Sequence, residues 1–142
     1  MTFEKSRSAG YLANHMARLF ALGLHERIRP LGLAPAQFMT LLELWNEEDL
    51  TQKDLVQRLD IEQATIANTL ARMERDGLVT RHENPGDRRA QLIRLTPKAR
   101  ALKDDAIAAA QAQNEKALAA FSPEERATFI ALMTKAIDAM RR

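Results

Sequence analysis

The chain has 142 residues, of which 46% are hydrophobic and 28% are charged, a composition typical of one folded domain and not of a disordered chain. It contains no cysteine, which excludes disulfides, thiolate metal sites and thiol nucleophiles, and its longest apolar run, Leu19 to Leu24, is too short to span a bilayer. The net charge is only +2, yet positions 81–100 carry six basic against two acidic residues. A local excess of this kind is typical of a surface that faces a polyanion, and the alternative is an ordinary solvated face.

Proline, glycine and capping residues divide the first half of the chain into four predicted helices. The first runs from about Ser8 to Arg29, and the second from Pro35 to about Trp45, with a proline at the first helical position, where its missing N–H costs nothing. The third covers Gln52 to Leu59 and the fourth covers Glu62 to Asp76. Gly77 follows the fourth helix, in the place of a left-handed C-terminal cap.

The second half begins with a predicted hairpin and ends with two more helices. Leu78 to Arg81 and Gln91 to Leu95 are predicted strands on either side of a turn at Pro85-Gly86-Asp87. The last two helices are predicted from Pro97 to about Ala119 and from Pro123 to about Met140. Six helices and one hairpin give a mainly α fold of the α+β type.

The third and fourth helices, joined by a tight turn, resemble a helix-turn-helix. The outer face of the fourth helix carries mostly short hydrogen-bonding side chains that can match base edges or phosphates in the major groove of DNA. These candidate DNA-binding residues are Gln63, Thr65, Asn68, Thr69 and Arg72. The alternative is an ordinary helical hairpin with a polar outer face.

The hairpin that follows adds the order of a winged helix-turn-helix. Arg88 and Arg89 lie at its predicted tip, from which they can project towards the narrow, negative minor groove. Asp87 is unexpected beside phosphates, and we expect it to bond Arg89 and aim that side chain.

The stretch from Leu50 to Arg100 resembles the winged helix-turn-helix of the MarR family of transcription regulators. The resemblance is carried by Gly77-Leu78-Val79-Thr80-Arg81, Asp87-Arg88-Arg89 and Leu92-Ile93-Arg94-Leu95-Thr96, and the helix order extends it to almost the whole chain. Two positions depart from the family pattern. Ala67 stands where the recognition helix often has Ser or Thr, and Glu62 near the start of that helix suits the helix dipole but repels DNA.

The terminal helices predict a homodimer, which the resemblance also implies. The last helix has a long apolar stripe that a small DNA-binding domain does not need for its own core, the alternative being an intramolecular core. The residues assigned to dimerisation are Leu12, Met16, Phe129, Leu132, Met133, Ile137 and Met140. The chain is thus expected to form one domain over 1–142, with a DNA-binding lobe at 33–96 and helical dimerisation regions at 1–30 and 97–142.

The resemblance further implies a small, often aromatic or phenolic effector, bound in a crevice between the dimer helices and the DNA-binding lobe. A cationic or aromatic side chain suits such a molecule, and the candidates are His15, Arg18 and Trp45. The alternative is that Trp45 belongs to the core and Arg18 is solvated. No cofactor is expected, and the spacing of the three histidines predicts no metal site within one chain.

The sequence therefore predicts a homodimeric regulator that binds an inverted repeat in double-stranded DNA, as a repressor released by a small molecule. One rival is a winged-helix module that contacts another protein instead of DNA. A second rival is a small helical enzyme, which lacks any catalytic constellation. The first five residues do not resemble a signal peptide, so we expect a cytoplasmic protein.

Overall fold

The computed structural model describes residues 2–141; Met1 and Arg142, the outer ends of the two predicted dimerisation regions, lie outside the described residues. The described part is mainly helical, with one small sheet. Its helices are α1 (Ala9–Ile28), α2 (Pro35–Asn46), α3 (Gln52–Leu59), α4 (Gln63–Arg75), α5 (Pro97–Ala101), α6 (Lys103–Ala117) and α7 (Pro123–Met140). Its strands are β1 (Leu50–Thr51), β2 (Val79–His82) and β3 (Leu92–Leu95).

The helices begin and end where capping residues predict. Thr51 and Asp54 form a reciprocal capping box at α3, in which the Thr51 hydroxyl accepts from the Asp54 amide at 3.1 Å and the Asp54 carboxylate accepts from the Thr51 amide at 2.9 Å. Ser122 and Glu125 repeat this box at α7. Gly77 follows α4 with φ +73°, which confirms the predicted left-handed position. The predicted ends of the first four helices are correct to within one residue.

The helix predicted from Pro97 to Ala119 is wrong as a single element, because it is broken at Leu102. There the amide of Leu102 donates to the carbonyl of Ala99 at 3.3 Å, an i→i−3 bond that tightens the backbone into a 3₁₀-type turn. A new helix then starts at Lys103 with Asp104 and Asp105 in its first turn, where carboxylates complement the helix dipole. The described residues thus form seven α-helices, not six.

The sheet has three antiparallel strands in the order β1-β3-β2, whereas the sequence predicts only the hairpin. The third strand is the two-residue β1, which pairs Leu50 with Ile93 and Thr51 with Leu92. Asp49, just before it, has φ +62° and so turns the chain from α2 into the sheet. A two-residue strand has no period of its own, so this pairing is set by tertiary contacts.

The hydrophobic core lies in the winged helix-turn-helix lobe, under α2, α3, α4 and the sheet, and extends to the start of α6. Its fully enclosed side chains include Leu41, Leu44, Leu55, Leu70 and Ile93. A second contact joins α1 to α6, where Gly23 faces the amide of Gln113. A Cβ on Gly23 would lie 2.3 Å from the Gln113 side-chain carboxamide, so the glycine leaves the space that this side chain occupies between the two helices.

Helices α1 and α7 differ from the other long helices because their apolar side chains face outwards. Leu12, Leu132, Ile137 and Met140 are exposed by 48%, 58%, 50% and 77%, and no residue of α7 is buried. Met16, Phe129 and Met133, the other residues assigned to dimerisation, are half-buried. An exposed apolar stripe of this length is a surface that needs covering. None of the helices in the described range is long and apolar enough to cross a membrane.

Candidate DNA-binding interface

Helix α4 presents its polar residues to solvent and its apolar residues to the core. Gln63, Thr65, Asn68 and Arg72 are exposed, at spacings that place them on the outer surface of the helix. Their amide, hydroxyl and guanidinium groups can match donors and acceptors on base edges. These four positions define the outer face of α4.

Thr69 does not belong to the outer face of α4, contrary to the prediction. It is only 8% exposed, because it falls on the inner stripe with Ile66, Leu70 and Met73. Its polarity suggested an outward position, but helical geometry fixes its direction towards the core. Ala67, where the family pattern often has a hydroxyl, is half-buried beside this stripe.

The wing is the hairpin of β2, β3 and the tip at 83–91, and two short side-chain hydrogen bonds shape that tip. The Asn84 carboxamide oxygen accepts from the Gly86 amide at 2.9 Å, and the Asp87 carboxylate accepts from the Arg89 amide at 3.0 Å. Both are Asx turns, which replace ladder bonds where the chain reverses. They hold the backbone that carries Arg88.

Asp87 therefore acts on the backbone of Arg89 more than on its side chain. The Arg89 Nε lies 4.0 Å from the Asp87 carboxylate, too far for a hydrogen bond, and the Arg89 side chain is 96% exposed. The sequence predicts that Asp87 orients the Arg89 guanidinium, and this prediction is wrong. Asp87 instead holds the backbone of Arg89 through the amide hydrogen bond. The guanidinium itself projects into solvent.

Most of the basic side chains between positions 81 and 100 have partners within the chain. Arg94 bonds Asp49 at 2.6 Å, and Lys98 donates to the Asp76 carbonyl at 2.9 Å. The two other pairs are Arg81 with Glu74 and Arg100 with Glu48. Three of the six cations are thus paired with carboxylates, and Arg88 and Arg89 at the wing tip project into solvent.

A cleft of about 440 Å³ joins the wing to the start of the helix-turn-helix. Gln63 at the start of α4 and Arg89 of the wing both line it, which places the two predicted DNA-binding elements on one continuous surface. Gln52 and Lys53, in the first turn of α3, and Gln91 of the wing complete the wall. Sequence inspection missed these three, although the cap at Thr51 already marks the start of α3.

A second cavity, of about 460 Å³, lies between α1, α2 and α6, the helices that enclose the predicted effector crevice. Its wall is apolar apart from two carboxamides at one end. The residues lining it include Ala17, Phe20, Ala21, Leu24, Pro35, Phe38, Met39, Leu42, Ala110, Gln113 and Asn114. We call this cavity the crevice.

The three side chains predicted to bind an effector do not line the crevice. His15 and Arg18 are exposed on α1. Trp45 packs edge-on against Phe38 with ring centroids 6.1 Å apart, and its indole N–H donates to the Ala99 carbonyl at 3.0 Å. Trp45 therefore fastens α2 to α5 as part of the core, which is the alternative that the sequence left open.

Within residues 2–141 no three histidine, aspartate or glutamate side chains are grouped closely enough to hold a metal ion. The acidic pairs Asp104/Asp105 and Glu124/Glu125 occupy first turns of helices, where they complement helix dipoles.

Comparison with known proteins agrees with this geometry. Residues 31–90 match the model of a MarR family. The chain is 32% identical to the HTH-type transcriptional repressor NicR of Pseudomonas putida, over 75% of this chain and 67% of that protein. It is 38% identical to the organic hydroperoxide resistance transcriptional regulator of Bacillus subtilis, but this match spans only 54% of the chain and 52% of the relative.

A solved structure extends the similarity to nearly the whole chain. BpsR of Bordetella bronchiseptica, whose DNA binding is regulated by 6-hydroxynicotinic acid, superposes with a TM-score of 0.88 at 26% identity, covering 97% of this chain and 99% of that one. The match includes the terminal helices as well as the winged helix-turn-helix. The chain belongs to the MarR family of DNA-binding transcription regulators.

Proposed function

We propose that the protein is a homodimeric repressor that binds an inverted-repeat operator and leaves it when a small aromatic molecule enters the crevice. The observation that carries DNA recognition is the single surface formed by the outer face of α4 and the wing tip, joined through Gln63 and Arg89. On this surface α4 enters the major groove and Arg89 enters the adjacent minor groove. NicR, a repressor by name, supports the direction of regulation.

The exposed stripe on α7, together with Leu12 and Met16 of α1, supports a dimer. Burying an aliphatic side chain contributes about 1.5–3 kcal/mol, and a two-fold interface buries each of these positions twice. The domain plan follows: 33–96 binds DNA, while 1–30 and 97–142 join the protomers. A two-fold dimer also places the two α4 helices to meet two symmetric half-sites.

The preferred DNA site is expected to be an inverted repeat with half-site centres about 10 base pairs apart. Two recognition helices in a symmetric dimer enter successive major grooves on one side of the duplex, roughly 34 Å apart. Selection of bound fragments from a random DNA library, followed by sequencing, measures the spacing directly. Selected sites without dyad symmetry would contradict the symmetric dimer.

The crevice supports a small, largely apolar effector with one polar group. Its apolar wall suits an aromatic ring, and the carboxamides of Asn114 and Gln113 line it, although the Gln113 Oε1 already accepts from Arg27 at 3.2 Å. The regulation of BpsR by 6-hydroxynicotinic acid supports an aromatic acid as the first probe. With no cysteine in the chain, the signal does not depend on oxidation of a thiol.

An aromatic acid that binds the crevice is expected to raise the melting temperature and release the operator. At a concentration about 100 times its dissociation constant, a ligand stabilises the native state by about 2.7 kcal/mol. Scanning 6-hydroxynicotinic acid and benzoic acid by thermal shift and by operator binding tests both effects. Ala21→Phe, which fills the crevice, should abolish the thermal shift, and an unchanged shift would locate the ligand elsewhere.

A further inference from the structure

Gln37, in the first turn of α2, links two helices that are far apart in the sequence. Its side chain is almost fully buried, with 6% exposed. Its carboxamide oxygen accepts from the Ala34 amide at 3.1 Å, and its Nε2 donates to the Asp76 carboxylate at 2.9 Å. Asp76 is the C-cap residue of α4, so one side chain ties the start of α2 to the end of the recognition helix.

Asp76 carries a negative charge at the C-terminal end of α4, where it does not stabilise its own helix. A carboxylate at the C-terminal end of a helix faces the negative end of the dipole and is unfavourable there. Its charge is balanced by Arg75, with Nε at 3.1 Å, and by Lys98, which donates to the Asp76 carbonyl, while Gln37 donates a hydrogen bond to the carboxylate. The bonds from Arg75 and Gln37, that of Arg75 above all, lower the pKa of Asp76 from its ordinary value. The carboxylate therefore serves as a junction between elements.

The same turn of α2 forms a wall of the crevice. Pro35 and Phe38, on either side of Gln37 in the sequence, line the crevice together with Met39. Their side chains face the crevice while the Gln37 side chain faces Asp76. A molecule that pushes this wall aside must carry the Gln37 backbone with it, because the turn is helical and moves as a unit.

We propose that Gln37 is a positioning residue, which sets the orientation of α4 through Asp76 and transmits occupancy of the crevice to the outer face of α4. The inference rests on the proposed function of the crevice as an effector site. Occupancy displaces the first turn of α2. Because Gln37 is bonded to Asp76, the C-terminal end of α4 moves with this turn and shifts relative to the wing. The two α4 helices of the dimer then lose their match to successive major grooves.

Because the chain contains no cysteine, a single introduced cysteine can be labelled selectively. The crevice can then be filled with a chosen chemical group, without knowledge of the natural effector. Ala21 lies on the wall that α1 contributes, opposite α2. Ala21→Cys, treated with N-phenylmaleimide, places an aromatic ring in the crevice, and treatment with methyl methanethiosulfonate provides a small control group. Operator affinity is measured before and after each treatment, together with hydrogen exchange at the amides of Asp76, Gly77 and Leu78.

The labelled protein is compared in three backgrounds: the parent, Gln37→Met and Arg75→Gln. Gln37→Met has nearly the same shape but can neither donate to Asp76 nor accept from the Ala34 amide. Arg75→Gln is the matched control because it removes the other side-chain partner of the Asp76 carboxylate and leaves α2 untouched. The phenyl label should weaken operator binding at least tenfold in the parent and in Arg75→Gln, with faster exchange at Asp76–Leu78. In Gln37→Met the weakening should be less than twofold.

Equal release in the parent and in Gln37→Met would overturn the role of Gln37 while leaving the crevice as an effector site. No release in the parent would instead contradict the proposed effector site, and the coupling with it. A second pair keeps the test independent of how well Gln37→Met folds. Asp76→Asn retains an oxygen that accepts from Gln37 and should keep the release, whereas Asp76→Ala should lose it, and release in both would also overturn the proposal.

Discussion

A protein carrying Leu132→Glu and Ile137→Glu is expected to be monomeric and to lose tight operator binding, although its DNA-binding lobe is untouched. Both side chains are at least half exposed on α7, so the substitutions cost the isolated protomer little. In the dimer they would place four carboxylates in an apolar interface, where an unpaired charge costs several kcal/mol. Light scattering measures the mass, and fluorescence anisotropy with the selected operator measures the affinity.

The matched control for this pair is Ala131→Glu. Ala131 is exposed on the same helix but lies on the opposite face from the apolar stripe, beside Lys135 and Asp138. It adds a carboxylate to the same helix without entering the proposed interface, so it should leave the dimer intact. A dimer that survives Leu132→Glu and Ile137→Glu would show that the stripe is not the contact between protomers.

Local signals in the sequence were sufficient to predict the frame of the fold. Capping boxes such as Thr51 with Asp54 act over three residues, and the left-handed position of Gly77 depends on its own backbone, so both are visible in the sequence. The break at Leu102 was missed because no proline or glycine marks it. Leu102 packs against the core, and that tertiary contact has no local signature.

The candidate site was predicted less completely, because its charges are set by partners distant in the sequence. Arg94 and Asp49 are 45 positions apart, and their pairing removes one cation from the predicted basic surface. Trp45 was named as a ligand candidate because an aromatic side chain suits an aromatic molecule, yet its N–H donates to a carbonyl 54 positions away. Thr69 was misplaced for the opposite reason, since polarity was weighed above the helical period that Ile66 and Leu70 define.

Arg89→Ala is expected to weaken operator binding by roughly 30-fold or more, because the substitution removes the proposed minor-groove contact at each wing of the proposed dimer. A good side-chain contact to a base is worth on the order of 1–3 kcal/mol, and about 1.4 kcal/mol corresponds to a tenfold change. The Arg89 side chain is almost fully exposed, so its removal should not affect folding. The plot of log affinity against log salt should become shallower by about 1 for each cation lost.

Asp87→Ala tests whether the wing tip must be held in shape for Arg89 to act. Because the Asp87 carboxylate accepts from the Arg89 amide, its loss should loosen the tip and give a smaller decrease than Arg89→Ala. The double variant should then lose little more than Arg89→Ala alone, since both changes act through one guanidinium. Arg18→Ala, which removes an exposed charge from α1, is the charge-matched control and should bind normally. Full operator affinity in folded Arg89→Ala would show that the wing does not contribute to binding.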